Sequence, residues 1–192
     1  MVDIELNFVG PFSFLEGESC LFQSSMAQSA GVYLHTIKQD VDNTHLIHYI
    51  GETASFGKRH KEHLVNILGL NYGIFDPDKA RQGIREILWR GLWRVKTADG
   101  PSFQVDAYRR LHNDILRYLS VLSVFFAELE GDGLLRRQVE GCIGWNLRNN
   151  HPDHKALYPD DNRIGAKNDT HNGNLRIAMP EIIRGLDEII PY

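Results

Sequence analysis

Four side chains with the chemistry to handle a phosphodiester lie within a short part of this sequence. Two are tyrosines, Tyr33 and Tyr49, and they are followed by Arg59 and His63. An arginine keeps its charge and can donate two parallel hydrogen bonds to a phosphate. A phenol or an imidazole can accept or relay a proton when water attacks phosphorus. This set of residue types favours hydrolysis of a phosphodiester bond.

A hairpin of two strands would position the tyrosines. Apolar residues flanking a polar turn predict strands over residues 31–38 and 45–51. If the turn centres on Val41, Tyr33 lies directly opposite Tyr49 and the two rings are cross-strand neighbours. A shift of one residue in the register would place them on opposite faces of the sheet.

A helix after the hairpin would position the arginine and the histidine. Thr53 or Ser55 can cap this helix, and its apolar side continues to about residue 68. Arg59 and His63 are four residues apart, so they share one face of the helix.

The rest of the chain is predicted to be mostly helical. Hydrophobic periodicity predicts helices over 80–95, 104–129, 134–147 and 181–190. Residues 149–174 are rich in Asn, Asp, His, Pro and Gly, which is typical of a long loop. A third strand is expected near residues 92–97.

The tyrosine-containing stretch resembles the GIY-YIG nuclease superfamily. Gly31-Val32-Tyr33 resembles the first motif of that family, and Tyr49-Ile50-Gly51 resembles the second. Members carry an arginine on the following helix, and many have a histidine one turn later, which Arg59 and His63 match. A metal-binding glutamate on a later helix is matched by Glu140.

The resemblance implies a fold of the α/β (α+β) class. Its expected core is a small antiparallel sheet of about three strands flanked by helices. We expect residues 1–192 to form a single domain, with a helical insertion at about 70–130.

The resemblance also implies a Mg²⁺-dependent endonuclease acting on DNA. Tyr33 would be the base, and Arg59 would clamp the phosphate. Glu140 would bind Mg²⁺, or another divalent cation such as Mn²⁺. Tyr49 would hydrogen-bond the phosphate or the nucleophile, and His63 would relay a proton or brace the phosphate. A free phenol has a pKa near 10, so Tyr33 would need cationic neighbours such as Arg59 and metal-bound water.

The family often has an asparagine some distance after the glutamate, and three positions fit this role. Asn149 and Asn150 lie close behind Glu140, whereas Asn162 lies further on and is followed by Arg163. We favour Asn162, because an arginine beside it could contact phosphate. The residues expected to contact DNA are Lys58, Lys61 and Arg163.

Composition limits the other possibilities. The 192 residues carry a net charge of −4, which argues against a protein that coats nucleic acid through bulk electrostatics. No apolar stretch is long enough to span a membrane. The two cysteines fit no metal or disulfide spacing and are expected to be reduced thiols in a cytoplasmic protein.

Two other functions remain open from the sequence. The chain could be a binding module for nucleic acid that keeps the fold without catalysis, although the near-complete residue set argues against this. It could also be a nuclease that acts on RNA or on branched repair intermediates.

Overall fold

A computed structural model describes residues 3–15, 17, 19–94, 100–158 and 173–192 of the chain. The α-helices are α1 (Phe56–Leu68), α2 (Pro77–Arg81), α3 (Gly100–Val121) and α4 (Gly133–Asn150). The strands are β1 (Ile4–Asn7), β2 (Val9–Phe12), β3 (Gly31–Lys38), β4 (His45–Thr53), β5 (Ile74–Phe75), β6 (Ile87–Trp89), β7 (Leu122–Glu128), β8 (Asn174–Ala178), β9 (Ile183–Arg184) and β10 (Ile189–Pro191). Short 3₁₀ helices cover Leu21–Gln23, Ser25–Gln28, Leu92–Arg94 and Pro152–His154. The protein therefore has a mixed α/β fold, as predicted.

The largest sheet has five strands in the order β2-β7-β3-β4-β9, so the predicted sheet of about three strands is too small. Its central strands β7, β3 and β4 pair antiparallel, β2 joins β7 antiparallel, and β9 joins β4 in parallel. The other described strands form the sheets β1-β8-β10 and β5-β6. The edge strands β2 and β9 have only four and two residues, which is too short for a recognisable alternation.

The strand beside β3 is β7, and not the predicted strand near residues 92–97. Residues 92–94 form a 3₁₀ helix, and the rest of that stretch lies outside the described residues. The predicted helix over 104–129 is correct only as far as Val121. β7 is buried on both faces, so its apolar residues run continuously and prolong the helical spacing of α3.

The segment predicted as a helical insertion, about 70–130, contains more than helices. It includes the β5-β6 hairpin and the central strand β7. The predicted helix over 80–95 is wrong, because α2 ends at Arg81 and the chain turns towards β6. Gly83 permits that turn with a φ of 75°, a conformation that other residues rarely adopt.

The end of the chain also differs from the prediction. Instead of a helix over 181–190, it forms β9 and β10, separated by Gly185 with a φ of 79°. The predicted helix over 134–147 is confirmed as α4, which the side chain of Asp132 caps by accepting a hydrogen bond from Leu135 N. Among the described residues, no helix is long and apolar enough to cross a membrane.

The five-stranded sheet has a different layer on each face. One face, which includes Tyr33, Ile37 and Phe126, packs with residues of α1 and α3. The opposite face, which includes Val32 and Phe125, packs with α4 and the sheet β1-β8-β10. Because successive strand residues point to opposite faces, the hairpin presents Tyr33 to α1 and its apolar neighbours to α4.

Around the two tyrosines, the β3–β4 hairpin is displaced by two residues from its predicted register. Tyr33 pairs with Gly51, and His35 pairs with Tyr49. A displacement of two keeps both tyrosines on one face, and their ring centroids are 6.0 Å apart. Just beyond this point the ladder has a bulge in which His48 is the extra residue of β4.

Candidate active site

The hydroxyl of Tyr33 is the centre of a hydrogen-bonded cluster between the hairpin and α1. Arg59 Nε donates to Tyr33 Oη over 3.2 Å, and Tyr33 Oη lies 2.8 Å from His63 Nε2. Because a guanidinium can only donate, the oxygen of Tyr33 accepts from Arg59, and its own hydrogen is available to His63. The structure therefore brings together three of the side chains named from the sequence.

Gly51 makes room for this cluster. A Cβ at this position would overlap Cζ and Oη of Tyr33, and it would lie 2.8 Å from Tyr49 Cε1. Protein interiors have no free space to absorb such an overlap, so any side chain here would displace the phenol. The glycine of the second motif is thus explained by the close approach of the Tyr33 ring to the neighbouring strand.

One side of α1 faces the sheet and carries the functional groups. Its buried residues follow helical spacing: Phe56, His60, His63 and Ile67. Ser55 precedes the helix at the cap position, as predicted, but makes no side-chain cap bond. Arg59 lies at the edge of the buried side with 35% of its side chain exposed, and its Nη1 is 3.3 Å from Glu62 Oε2. Arg59 therefore contacts both the buried phenol of Tyr33 and the solvent.

Both phenols are harder to ionise than free tyrosine. Burial raises the pKa of Tyr33 well above its ordinary value, and the hydroxyl of Tyr49 adds to the effect. The positive charge of Arg59 acts in the opposite direction but does not prevail. Burial also raises the pKa of Tyr49. If Tyr33 is to act as a base, its pKa must be lowered, and the charge of Arg59 alone does not achieve this.

Buried histidines surround Tyr33. His60 Nδ1 donates to the carbonyl oxygen of Phe56 over 2.8 Å. Its Nε2 must then accept from His35 Nε2, which lies 3.1 Å away. Burial lowers the pKa of His60 to about 4 and that of His63 to about 2. These two imidazoles are neutral near pH 7, so His63 Nε2 can accept the hydrogen of Tyr33.

Glu140 lies on α4, which packs across β3 and β4. Burial and the nearby carboxylate of Glu52 raise the pKa of Glu140 to about 7, while Arg59 acts in the opposite direction. The charge of Glu140 in turn raises the pKa of both Tyr33 and Tyr49. The glutamate named from the sequence is thus close enough to act electrostatically on the tyrosine cluster.

Glu52 is a candidate site residue that the sequence analysis missed. It follows Gly51 on β4 and accepts a hydrogen bond from Nε of Arg136, a buried arginine of α4, over 3.2 Å. Its sequence signal is weak, because a single carboxylate after the second motif looks like any exposed strand residue. Only the packing of α4 on the hairpin brings it close to Glu140.

Carboxylates are the ligands that a divalent cation of the magnesium type prefers, and of the two carboxylates here Glu52 is already paired with Arg136 over 3.2 Å. Hard cations take oxygen ligands, and Mg²⁺ keeps several of its waters, so one or two carboxylates are sufficient on the protein side. Burial, and after it repulsion from Glu52, raises the pKa of Glu140, and a bound cation would favour the ionised carboxylate against both. Within the described ranges there is no group of three or more His, Cys, Asp or Glu side chains arranged to hold a metal ion.

The remaining residues named from the sequence do not join the cluster. Asn162 and Arg163 lie outside the described residues. Lys58 and Lys61 are exposed on α1, on the side that faces away from the sheet. Contact with DNA through these lysines stays a prediction.

The two alternative asparagines lie at the far end of α4. Asn149 Nδ2 donates to the carbonyl oxygen of Trp145 over 2.8 Å, and Asn150 Nδ2 donates to Asn146 Oδ1 over 2.6 Å. At 1.5 Å per residue, Asn149 lies roughly 14 Å along the helix from Glu140. Neither asparagine shares the site with the glutamate.

Access to the cluster is from the side of Tyr49. Tyr33 has no exposed surface, whereas Tyr49 is half-buried. Tyr49 and His63 line a cavity of about 660 Å³ that continues towards the β5-β6 hairpin. A substrate that reached the cluster through this cavity would meet Tyr49 and His63 before Tyr33.

The site is assembled from four elements that are distant in sequence: β3, β4, α1 and α4. They bring a phenol, a guanidinium and a neutral imidazole into hydrogen-bond contact, with two carboxylates nearby. Such a set can bind an anion, move a proton and hold a hydrated cation. In comparisons with known proteins, no protein-family model, no curated protein and no solved structure matches the chain.

Proposed function

We propose that this protein is a GIY-YIG-type endonuclease that hydrolyses phosphodiester bonds in DNA with Mg²⁺ or Mn²⁺. The supporting observation is the hydrogen-bonded triplet of Arg59, Tyr33 and His63, with the charge of Glu140 acting on it. Phosphodiester hydrolysis depends on positioning and on charge neutralisation, and each of these groups has a use in one or the other.

The arrangement of the sheet is compatible with this family. Its antiparallel centre, β7-β3-β4, contains both motif strands, and α1 follows the hairpin directly. Helices pack on both faces of that centre. In the proposed relationship, β2, β9 and the three-stranded sheet are additions around a GIY-YIG core.

Arg59 is the phosphate ligand in this proposal. Its guanidinium turns away from Tyr33 and Glu62 and donates to two oxygens of the substrate phosphate. The ion pair with Glu62 is half-exposed, and such pairs contribute only about 0–1 kcal/mol, so exchanging it costs little. The same movement uncovers Oη of Tyr33, which otherwise has no access to water.

Tyr33 and His63 form the proton path for the attacking water. The phenol oxygen takes a proton from water while the phenol proton passes to His63 Nε2, 2.8 Å away. The water oxygen forms the new bond to phosphorus, and the bond to the leaving oxygen breaks. The phosphate offsets the charge of Arg59, one of the influences that lower the pKa of His63, and so makes the transfer easier.

Glu140, with Glu52 beside it, would hold the divalent cation. When bound, the cation supplies positive charge that stabilises the leaving oxygen. Tyr49 keeps its proton, because burial raises its pKa, and therefore donates a hydrogen bond to the phosphate. In this proposal, Arg59 binds the phosphate on one side of the tyrosine pair, and the carboxylates hold the cation on the other side.

Nicking of supercoiled plasmid in the presence of Mg²⁺ tests the proposal. We expect Tyr33→Phe, Arg59→Ala and Glu140→Gln each to slow nicking by about 10²-fold or more. Tyr108→Phe and Arg109→Ala, at exposed positions on α3, are matched controls that should keep the wild-type rate. Circular dichroism would confirm that all variants are folded.

Three results would contradict parts of this reading. Nicking that persists in all three site variants would exclude the assigned site. Salt-sensitive DNA binding without cleavage of any nucleic acid would indicate a non-catalytic binding module. Cleavage of RNA alone, or of branched DNA alone, would replace the assigned substrate.

A further inference from the structure

We propose that the cavity beside the active site holds one unpaired nucleotide of the DNA strand, next to the phosphate that is cut. This inference rests on the proposed function and specifies its substrate, namely DNA with an unpaired or extruded nucleotide at the cut. The cavity volume of about 660 Å³ lies within the range of roughly 300–1,000 Å³ typical of sites for small organic ligands.

The charge of the cavity favours an anion. Arg85, Arg90 and Arg94 all line it, and no aspartate or glutamate does so among the described residues. The chain as a whole carries a net charge of −4, so this concentration of arginines is local. Arginine suits phosphate because its planar donors match two oxygens at once.

A row of aromatic rings leads from the active site to the mouth of this cavity. The ring centroids of His63 and Tyr72 are 5.6 Å apart, and those of Tyr72 and Trp93 are 5.2 Å apart. Trp93 is 69% exposed, which is unusual for the largest apolar side chain. Every nucleobase has a π-face that stacks on such rings.

Arg85, which lines the cavity, has a buried hydrogen-bond donor. Its guanidinium lies over the Phe75 ring, 5.4 Å from the centroid. Its Nε is buried and has no hydrogen-bond partner in the part of the chain that the structure describes. A buried donor without a partner is costly, and a phosphate or a base oxygen in the cavity would satisfy it.

Because the cavity adjoins the proposed active site, the expected ligand is a nucleotide within a DNA strand and not a free nucleotide. Tyr49 and His63 belong to both, so a nucleotide in the cavity would have a phosphate at the tyrosine cluster. A base that is stacked inside a duplex cannot enter a cavity, and enzymes that admit one act on an unpaired or flipped nucleotide. The site therefore favours DNA in which the nucleotide beside the cut is unpaired.

Equilibrium binding without metal tests the inference separately from cleavage. Fluorescence anisotropy in EDTA would compare three labelled duplexes: fully paired, with one unpaired adenine, and with an abasic sugar in place of that adenine. We expect wild type to bind the unpaired adenine about tenfold more tightly than the abasic duplex, because a base is stacked. Trp93→Ala should remove this preference. Arg90→Ala should weaken binding to both duplexes. It should also reduce the slope of log affinity against log salt concentration by about one.

Tyr108→Ala and Arg109→Ala are the matched controls, because both residues are exposed on α3 and neither lines the cavity. Equal affinity of wild type for the adenine and abasic duplexes would overturn the inference. A preference that survives in Trp93→Ala would also overturn it. Saturable quenching of tryptophan fluorescence by free dAMP that is lost in Trp93→Ala, with no preference between the duplexes, would show that the ligand is a free nucleotide instead.

The same preparations distinguish a failure of this inference from a failure of the proposed function. If plasmid is never cut but the base preference and its loss in Trp93→Ala are found, the nuclease proposal fails and the nucleotide site stands. If plasmid is cut by wild type and by Trp93→Ala equally, and no base preference exists, the nucleotide site fails and the nuclease proposal stands.

Discussion

The two faces of the five-stranded sheet are made by the same strands but carry different polar groups. Towards α1, Tyr33 and His35 are buried together with His60, and hydrogen bonds link them to neighbouring polar groups. Towards α4, Val32 and Ile143 belong to an apolar cluster, with His45 against Phe125 and the pair of Arg136 and Glu52 as polar neighbours. Alternation along a strand is sufficient to give the two faces of the sheet different sets of side chains.

This difference indicates where the stability of the fold originates. Buried polar groups cost free energy unless they are hydrogen-bonded, and a satisfied bond contributes only about 1 kcal/mol. Burial of a large aliphatic side chain contributes about 1.5–3 kcal/mol. Both faces carry a large apolar cluster that stabilises the fold, and the face towards α1 carries in addition the groups arranged for reaction.

The largest expected effect on stability follows from a cavity on the apolar face. Ile143 is fully buried on α4, so Ile143→Ala should lower the free energy of unfolding by about 2–5 kcal/mol. Urea denaturation at pH 7.5 measures this change. The folded variant should still nick plasmid at close to the wild-type rate, because Ile143 itself contributes no polar group to the site.

Tyr33→Phe tests the other face of the sheet, the one towards α1. It removes one hydroxyl from a fully buried ring and should change stability less than Ile143→Ala, although it should slow nicking by about 10²-fold or more. If Ile143→Ala lost nicking while remaining folded, or if Tyr33→Phe were the less stable variant, the division between the two faces would be wrong.

The next effect is an acid sensitivity of the buried histidines on the face towards α1. Burial lowers the pKa of His60 from 6.5 to about 4, so the folded protein binds this proton less readily than the unfolded chain. Its contribution is fully present above pH 6.5 and is lost as the pH falls towards 4. At about 1.4 kcal/mol per pH unit, the free energy of unfolding should fall by about 3 kcal/mol for this residue.

A paired substitution tests the source of that acid sensitivity. His35→Leu combined with His60→Leu removes both partners of the buried Nε2 contact, which leaves no unpaired group between them, and should reduce the pH dependence between 6.5 and 4. His48 and His63, whose pKa values burial also lowers, should keep the rest of it. His112→Leu, at an exposed position on α3, is the control and should leave it unchanged. An unchanged slope in the double variant would place the sensitivity elsewhere.

Local patterns predicted the hairpin, α1 and α4, because each is set by spacing within a few turns. The shared face of Tyr33 and Tyr49 was also predictable, since a register error of two residues preserves it. The identity of β7 was not predictable in this way. Its apolar run continues the periodicity of α3, and only pairing with β3 distinguishes the two.

The electrostatics of the site depended on packing that the sequence does not express. Arg59 beside Tyr33 suggested a lowered pKa, but complete burial raises it, because desolvation outweighs one half-exposed charge. Glu52 became visible as a neighbour of Glu140 only when α4 packed on the hairpin. The sequence thus indicated which groups are present, whereas their protonation depends on which surfaces exclude water.

The smallest expected effect concerns the carboxylate side of the site. The pKa of Glu140 is raised to about 7, and a carboxylate binds a cation only when it has lost its proton. The ionised fraction is therefore about one tenth at pH 6 and about nine tenths at pH 8. Calorimetric titration of the DNA-free protein with Mn²⁺ should give about tenfold weaker binding at pH 6 than at pH 8.

Two variants show whether this dependence comes from Glu140. In Glu140→Gln the Mn²⁺ affinity should fall at pH 8 and lose its pH dependence, whereas Glu130→Gln, at an exposed position before α4, should behave as wild type. Equal affinity of wild type at pH 6 and pH 8 would mean that the cation, if bound, is held by other groups. Because Glu140 raises the pKa of both tyrosines, a cation that neutralises it would also bring Tyr33 closer to ionisation, which the protein alone disfavours.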